Sequence, residues 1–342
     1  MGRLDHHSDP DRRRHAERAP RSLAAVLERG APLVQELIES RALVRHAQPA
    51  MFMHRQVHAG RTSVALVACL EGGVLDARVV RPHRRMHADR GAMWALHAAH
   101  VGAHVDPSVV GFDATPEITD LFEREMNDRP LFHVVDEDGA THTLWLGTRM
   151  EELTRAFGQV REGLLLEGHH RASVRGMGED VLAMLVPMEQ VVGRASVVRI
   201  GPGHAEALLA ARRGVRAVEG AAAVPAPGRA LACVANPGCG GVSWLSFEVP
   251  ARFDEAAHQL DAWIGGAGWQ PGASVANAAI EAQVRAGESG CVIRIADPEV
   301  MHLRALAEQG SLLPAASTWF LPRFRSGLCM AEPQRDATTI SR

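Results

Sequence analysis

The stretch GLLLEGHHRASV, residues 163–174, decides how the chain is read. Its apolar run, Leu164 to Leu166, is too short for a helix and is expected to form a buried strand ending in Glu167. Gly168 frees the backbone to turn. His169, His170 and Arg171 then fall in the first turn of an expected helix. Free N–H groups and the positive dipole end of such a turn point outward, which suits an anion. Basic residues at a helix N-terminus are unfavourable unless an anion is bound there. Glu167 adds a carboxylate able to act as a base or to hold a divalent cation that bridges phosphates. The plainer alternative is an ordinary strand-to-helix turn with a solvated basic start.

Upstream of the turn, AMFMHRQV and TSVALVACL flank HAGR as an expected hairpin, and DARVV is an expected strand ending before Pro82. Residues 33–38 carry apolar positions at helical spacing after Pro32. Residues 85–104 are expected to be helical, and VDPSVVGFD to hold a turn and a short strand. PLFHVVDEDGATHTLWLG reads as two strands joined at Asp138-Gly139, and residues 149–160 as a helix. Downstream, VLAMLVP, ASVVRI, LACVANPG, GGVSWLSFEV and CVIRIAD are strand candidates. FDEAAHQLDAWI, SVANAAIEAQVRAG and PEVMHLRALAEQG are helix candidates, the last ending at Gly310.

At 342 residues, and roughly 150 residues per domain, the chain is long enough for two domains. Residues 1–21 are expected to be a disordered tail, 22–200 a first domain holding the GHHR turn, 201–230 an Ala/Gly/Pro-rich linker, and 231–332 a smaller α/β domain. All 37 basic residues are arginine, and there is no lysine and no tyrosine. That excludes a Walker A loop, a Schiff-base lysine and the strand lysine of a protein kinase. A formal charge of −3 gives no basic face, so no nucleic-acid partner is expected. Five cysteines without a CxxC argue against a disulfide framework or zinc ribbon. No membrane span or signal peptide is expected, and the expected compartment is the cytoplasm.

GLLLEGHHR resembles the (I/L)-A-D-G-H-H-R signature of the domain of unknown function 1015 family, which is similar to the ParB/sulfiredoxin superfamily and its free-serine kinases. AMFMHRQ, VVRPHRRMHADR, PLFHVVDEDGATHTLW and LPAASTWFLPRFRSGL resemble further blocks of that family in the same order, over roughly residues 45–330. The resemblance implies an α/β (α+β) fold, a ParB/sulfiredoxin-like mixed sheet with a second smaller domain. It further implies a nucleotide, ATP or ADP with Mg²⁺, whose phosphates sit on Gly168, His169, His170 and Arg171, with His169 and His170 also able to serve in catalysis. Glu167 takes the position of the family Asp, as catalytic acid or base or as metal ligand. His83, Ser317, Thr318 and Arg323 match other cofactor-binding positions, with Pro322, Ser326 and Gly327 beside them, and Arg323 would be a second charge clamp. Arg84 stands where the family shows an acid, and Ala316 where it shows lysine.

Two functions follow as expectations. One is a kinase-like phosphotransferase acting on a free hydroxylated amino acid or similar metabolite. The other is a non-catalytic sensor of a nucleotide or metabolite, suggested by Arg84 and Ala316. A DNA-binding ParB-type role is disfavoured by the charge. Weaker sites are a metal on His83, His87, His97, His100 and His104, a pair at Cys233 and Cys239, and Mg²⁺ on Asp136, Glu137 and Asp138. For these, chance clustering, an incidental role and a solvated hairpin tip are the plainer accounts.

Overall fold

Period-two alternation in the sequence becomes strands from Phe52 onward. The computed structural model describes residues 32–46, 48–71, 79–86, 94, 96, 100–172, 180–201, 210, 214–218, 224–236, 240–265, 268–270, 277–324 and 327–331. The expected tail, most of the linker and most of the 85–104 segment lie outside these residues, as do His87, His97, Cys239 and Ser326.

A large mixed sheet is built from β1 (Phe52–His58), β2 (Arg61–Glu71), β3 (Val80–Pro82), β4 (Ser108–Phe112), β5 (Phe132–Val135), β6 (Thr141–Leu146), β7 (Gly163–Glu167) and β8 (Asp180–Pro187). Their order is β3-β7-β4-β8-β2-β1-β6-β5. The β3–β7 and β4–β8 pairs are parallel, and the other pairs are antiparallel. Both expected hairpins are present. Asp136 Oδ1 accepts from the N–H groups of Asp138 and Ala140, and Gly139 takes φ +77°, so this turn is set by its own side chain. Asp136 Oδ2 also meets His142 Nε2, whose Nδ1 meets the buried His54 Nε2 at 3.1 Å. The Asp136 carboxylate is thereby engaged in stapling the hairpin rather than left free for a cation.

Leu165 packs on one face of the sheet with Met53, Phe112 and the helices Pro116–Met126 and Met150–Phe157. Leu164 and Leu166 pack on the other. A strand buried on both faces needs an unbroken apolar run, which is what Leu164–Leu166 supplies. Each such buried leucine is worth about 2 kcal/mol relative to exposure. The Pro116–Met126 helix is an element not expected above, although Ile118, Leu121, Phe122 and Met126 recur at helical spacing on its packed face. A second signal is Thr115-Pro116, where the Thr115 hydroxyl accepts from Ile118 N and proline takes the first helical position.

The second sheet is antiparallel. It contains β10 (Val197–Ile200), β11 (Arg216–Val218), β12 (Arg229–Ala235), β13 (Val242–Glu248), β14 (Trp269–Gln270) and β15 (Cys291–Ile295), in the order β11-β13-β12-β15-β10-β14. One apolar cluster runs from Ala65, Leu166 and Met184 of the first sheet to Phe247, Ile293 and Leu303 beside the second. β10 pairs with β14 and β15, although the expected boundary left residues 197–200 in the first unit. A strand's sheet is decided by its long-range partners, which local sequence does not encode. β9 (Val192–Ala195), between the two sheets in sequence, pairs with β16 (Thr318–Leu321), which follows both, as a separate two-stranded ribbon. No described helix is long and apolar enough to cross a membrane.

Candidate functional site

Gly168 has φ +85°, in the left-handed region where side chains are strained. A Cβ there would lie 2.7 Å from Ser108 Oγ and 2.8 Å from Ser108 Cα, so both conformation and proximity require glycine. The Gly168 carbonyl accepts from Ala172 N at 2.8 Å, closing one helical turn over His169–Ala172. Continuation of that helix lies outside the described residues.

His83 follows β3 and is fully buried. Its Nδ1 is 2.8 Å from the Leu165 carbonyl of β7, and its Nε2 is 2.7 Å from Thr318 Oγ1 of β16. A carbonyl only accepts, so Nδ1 carries the proton and the neutral Nε2 accepts from the Thr318 hydroxyl. Burial, with the Arg84 charge second, depresses the His83 pKa to about 3 against the opposing carbonyl bond. Arg84 Nη1 donates to the Thr318 carbonyl at 3.0 Å, so the same residue anchors both side chains.

The His169 ring meets the His83 ring edge-on, with centroids 4.9 Å apart. It is 2% exposed, and neither ring nitrogen has a hydrogen-bond partner. Burial first, then the charges of Arg84, His83, His170 and Arg171, hold its pKa well below the ordinary value. Arg171 donates from Nη2 to the Pro107 carbonyl at 3.0 Å, approaches Asp106 Oδ2 at 3.8 Å and lies 5.4 Å from the Trp94 ring centroid. Burial lowers its pKa, while Asp106 and Glu167 oppose that shift. Arg171 Nε and Asp106 Oδ1 are buried without partners. His170 and Glu167 are half-buried on the same turn.

The structure therefore gathers Glu167, Gly168, His169, His170 and Arg171 with His83, Arg84 and Thr318. Sequence reasoning passed over Trp94 and over Asp106 and Ser108, the last two lying in the turn-forming VDPS that leads into β4. His83 has both nitrogens engaged within the fold, where it bridges β7 and β16. Ser317 and Thr318 are fully buried: Ser317 Oγ donates to the Pro314 carbonyl, and Thr318 is held by His83, so both serve the fold. Arg323 is exposed, and its carbonyl accepts from Gln56 Nε2 of β1. β1 lies four strand positions from β7 in the sheet.

Among the described residues no three His, Cys, Asp or Glu side chains are grouped to hold a metal ion. Mg²⁺ needs only one or two carboxylates when phosphate oxygens supply further ligands, and Glu167 is the carboxylate available on the turn. An anion fits better still, since the turn concentrates Arg84, Arg171 and an unpartnered imidazole.

The family model described as "Protein of unknown function (DUF1015)" matches residues 7–176, which include the GHHR turn and end before the STWF block. A conserved hypothetical protein from Pyrococcus furiosus is similar at 12% identity and TM-score 0.42, covering 76% of this chain and 93% of that one. A free serine kinase in complex with AMP gives 12% identity and 0.43, covering 75% and 87%. SbnI with a C-terminal truncation, from Staphylococcus aureus, gives 10% identity and 0.42, covering 78% and 87%. No curated protein matches the chain.

Proposed function

The chain belongs, as a divergent member, to the DUF1015 family of proteins of unknown function, and from that premise we propose that it binds a nucleotide by its phosphates at the Gly168–Arg171 turn and transfers a phosphoryl group to a small hydroxyl compound. One observation carries the reading: a fully buried His169 whose two nitrogens lack partners, set among Arg84, His83 and Arg171. A buried polar group without a partner costs about 1–3 kcal/mol, a cost removed when a ligand brings the missing partner. A phosphate supplies acceptor oxygens and also negative charge, which favours the protonated imidazole that burial and the two guanidinium groups disfavour. Gly168 lets a phosphate approach the backbone closely, and Arg171 and Arg84 supply the stabilising field for the transferring group.

Glu167 is the general base. The substrate hydroxyl gives its proton to Glu167, its oxygen bonds to the terminal phosphorus, and the bond from that phosphorus to the departing nucleoside diphosphate breaks. Mg²⁺, when bound with the phosphates, neutralises their developing charge. Trp94, against Arg171, restrains the guanidinium.

Isothermal titration with ATP, ADP, CTP and GTP, each with Mg²⁺, is expected to show binding of at least one by the wild type. In Arg171→Met, which keeps apolar volume against Trp94, that binding is expected to weaken by about tenfold or more. Failure of all four to bind the wild type would overturn the proposal. Glu167→Gln is expected to bind as the wild type does yet to lose about a hundredfold in transfer to free serine or another hydroxylated amino acid. The sensor reading is favoured by Arg84, a cation where the family shows an acid. Binding by the wild type with no turnover on any such acceptor would establish it in place of the kinase reading.

A further inference from the structure

A second recess lies away from the GHHR turn, where β9 gives way to β10 beside the end of β15. It is a small recess partly open to solvent, with a cavity volume of about 20 Å³. Its polar wall is Arg194, Ser196, Arg294 and Asp297, and Val197 and Val224 are among its apolar lining. Arg294 is only 5% exposed although it sits in the middle of β15. Its one described hydrogen bond, Nη1 to Asn277 Oδ1 at 2.8 Å, goes to a neutral acceptor. Asp297 is the one carboxylate among the described lining residues, and it is engaged: Arg194 Nη1 donates to Oδ2, and Ala195 N donates to Oδ1 at 2.9 Å. Two guanidinium groups against one carboxylate leave a single positive charge in the wall. Burial lowers the Arg294 pKa, against Asp297 and together with Arg194, which marks a cation short of compensation.

Ser196 supplies an independent sign. It is 1% exposed, and its hydroxyl has no partner. Its backbone is fixed by donation from Ser196 N to the Ser317 carbonyl at 2.8 Å, so the residue is held in place while its hydroxyl is left unused. A buried cation short of an anion and an orphan hydroxyl share one recess. Both are satisfied by a small oxyanion that takes donors from the planar guanidinium fork of Arg294 and one from Ser196.

We propose that this recess is a binding site for an oxyanion head, a carboxylate or a phosphate monoester, separate from the nucleotide site. Asp297 does not repel the guest because Arg194 neutralises it, and the buried Val197 supplies an apolar wall beside the contact.

The test is calorimetric titration of the full chain with sodium acetate, sodium glycolate and inorganic phosphate at constant ionic strength, with sodium chloride as the reference. At least one oxyanion is expected to bind saturably, and whether acetate and glycolate or phosphate binds identifies the head group. Affinity is expected to fall about tenfold in Arg294→Met and several-fold in Ser196→Ala, and to be unchanged in Arg171→Met, which keeps this site distinct from the nucleotide site. If Arg294→Met does not fold, Ser196→Ala decides. Absence of any binding beyond chloride, or wild-type affinity in Ser196→Ala, overturns the proposal.

Discussion

Between pH 7 and pH 5 the protein is expected to lose about 4 kcal/mol of folding stability through His54 and His83, and more through His169. His54, His83 and His169 are at most 2% exposed. Burial, followed by the charge of His142, lowers the His54 pKa to about 4. His83 is at about 3, and His169 is well below its ordinary value. A histidine whose pKa is lower in the folded state stays neutral there while the unfolded chain takes up a proton. Its stability contribution is therefore fully present above the unfolded pKa of about 6.5 and is lost as pH falls below it. Each ring contributes about 1.4 kcal/mol per pH unit, or about 2 kcal/mol by pH 5. Three together approach the whole stability of a typical domain. Urea unfolding followed by circular dichroism at half-unit pH steps measures this. A flat profile would show that the three rings are not buried and neutral as described. His83→Gln, which cannot titrate, is expected to remove about one third of the slope.

Gly168→Ala is expected to cost about 3 kcal/mol or more and to abolish nucleotide binding. The left-handed φ alone costs an alanine about 1–2 kcal/mol. The rest comes from Ser108: its hydroxyl can rotate away from the new methyl group, but its Cα at 2.8 Å is backbone and moves only with β4. Gly139→Ala is the matched control, because Gly139 has φ +77° and nothing within 4 Å of a Cβ. It is expected to pay the conformational cost alone and to bind nucleotide normally. Equal destabilisation of the two variants in urea would show that the Ser108 contact has no energetic weight.

The local elements were largely legible because their signals are local. The three leucines of β7, the Asp138-Gly139 turn and the glycine after Glu167 each fix a backbone state within a few residues. The environment of the turn was legible only in part. The block resemblance paired His83 and Thr318 with the motif, but as ligands to a cofactor. Their roles as internal anchors depend on a hydrogen bond that spans 235 residues and has no trace in either segment alone. The contact of Arg323 with β1, five residues beyond Thr318, has no local trace for the same reason. Asp106 and Ser108 were missed because their residue types are ordinary for a turn, and only the packing of β4 against β7 gives them a role.

The bond between His83 and Thr318 also sets a timetable for the newborn chain. Translation delivers β1 to β8 and the GHHR turn well before residue 318 leaves the ribosome. Until then the His83 imidazole faces no Thr318 hydroxyl, Arg84 lacks its carbonyl, and the ring of Phe320 that packs on His83 at 5.4 Å is missing. Contacts this remote in sequence form late, since the intervening loop must close first. The growing polypeptide therefore holds the motif without these anchors until residues 318–320 are made.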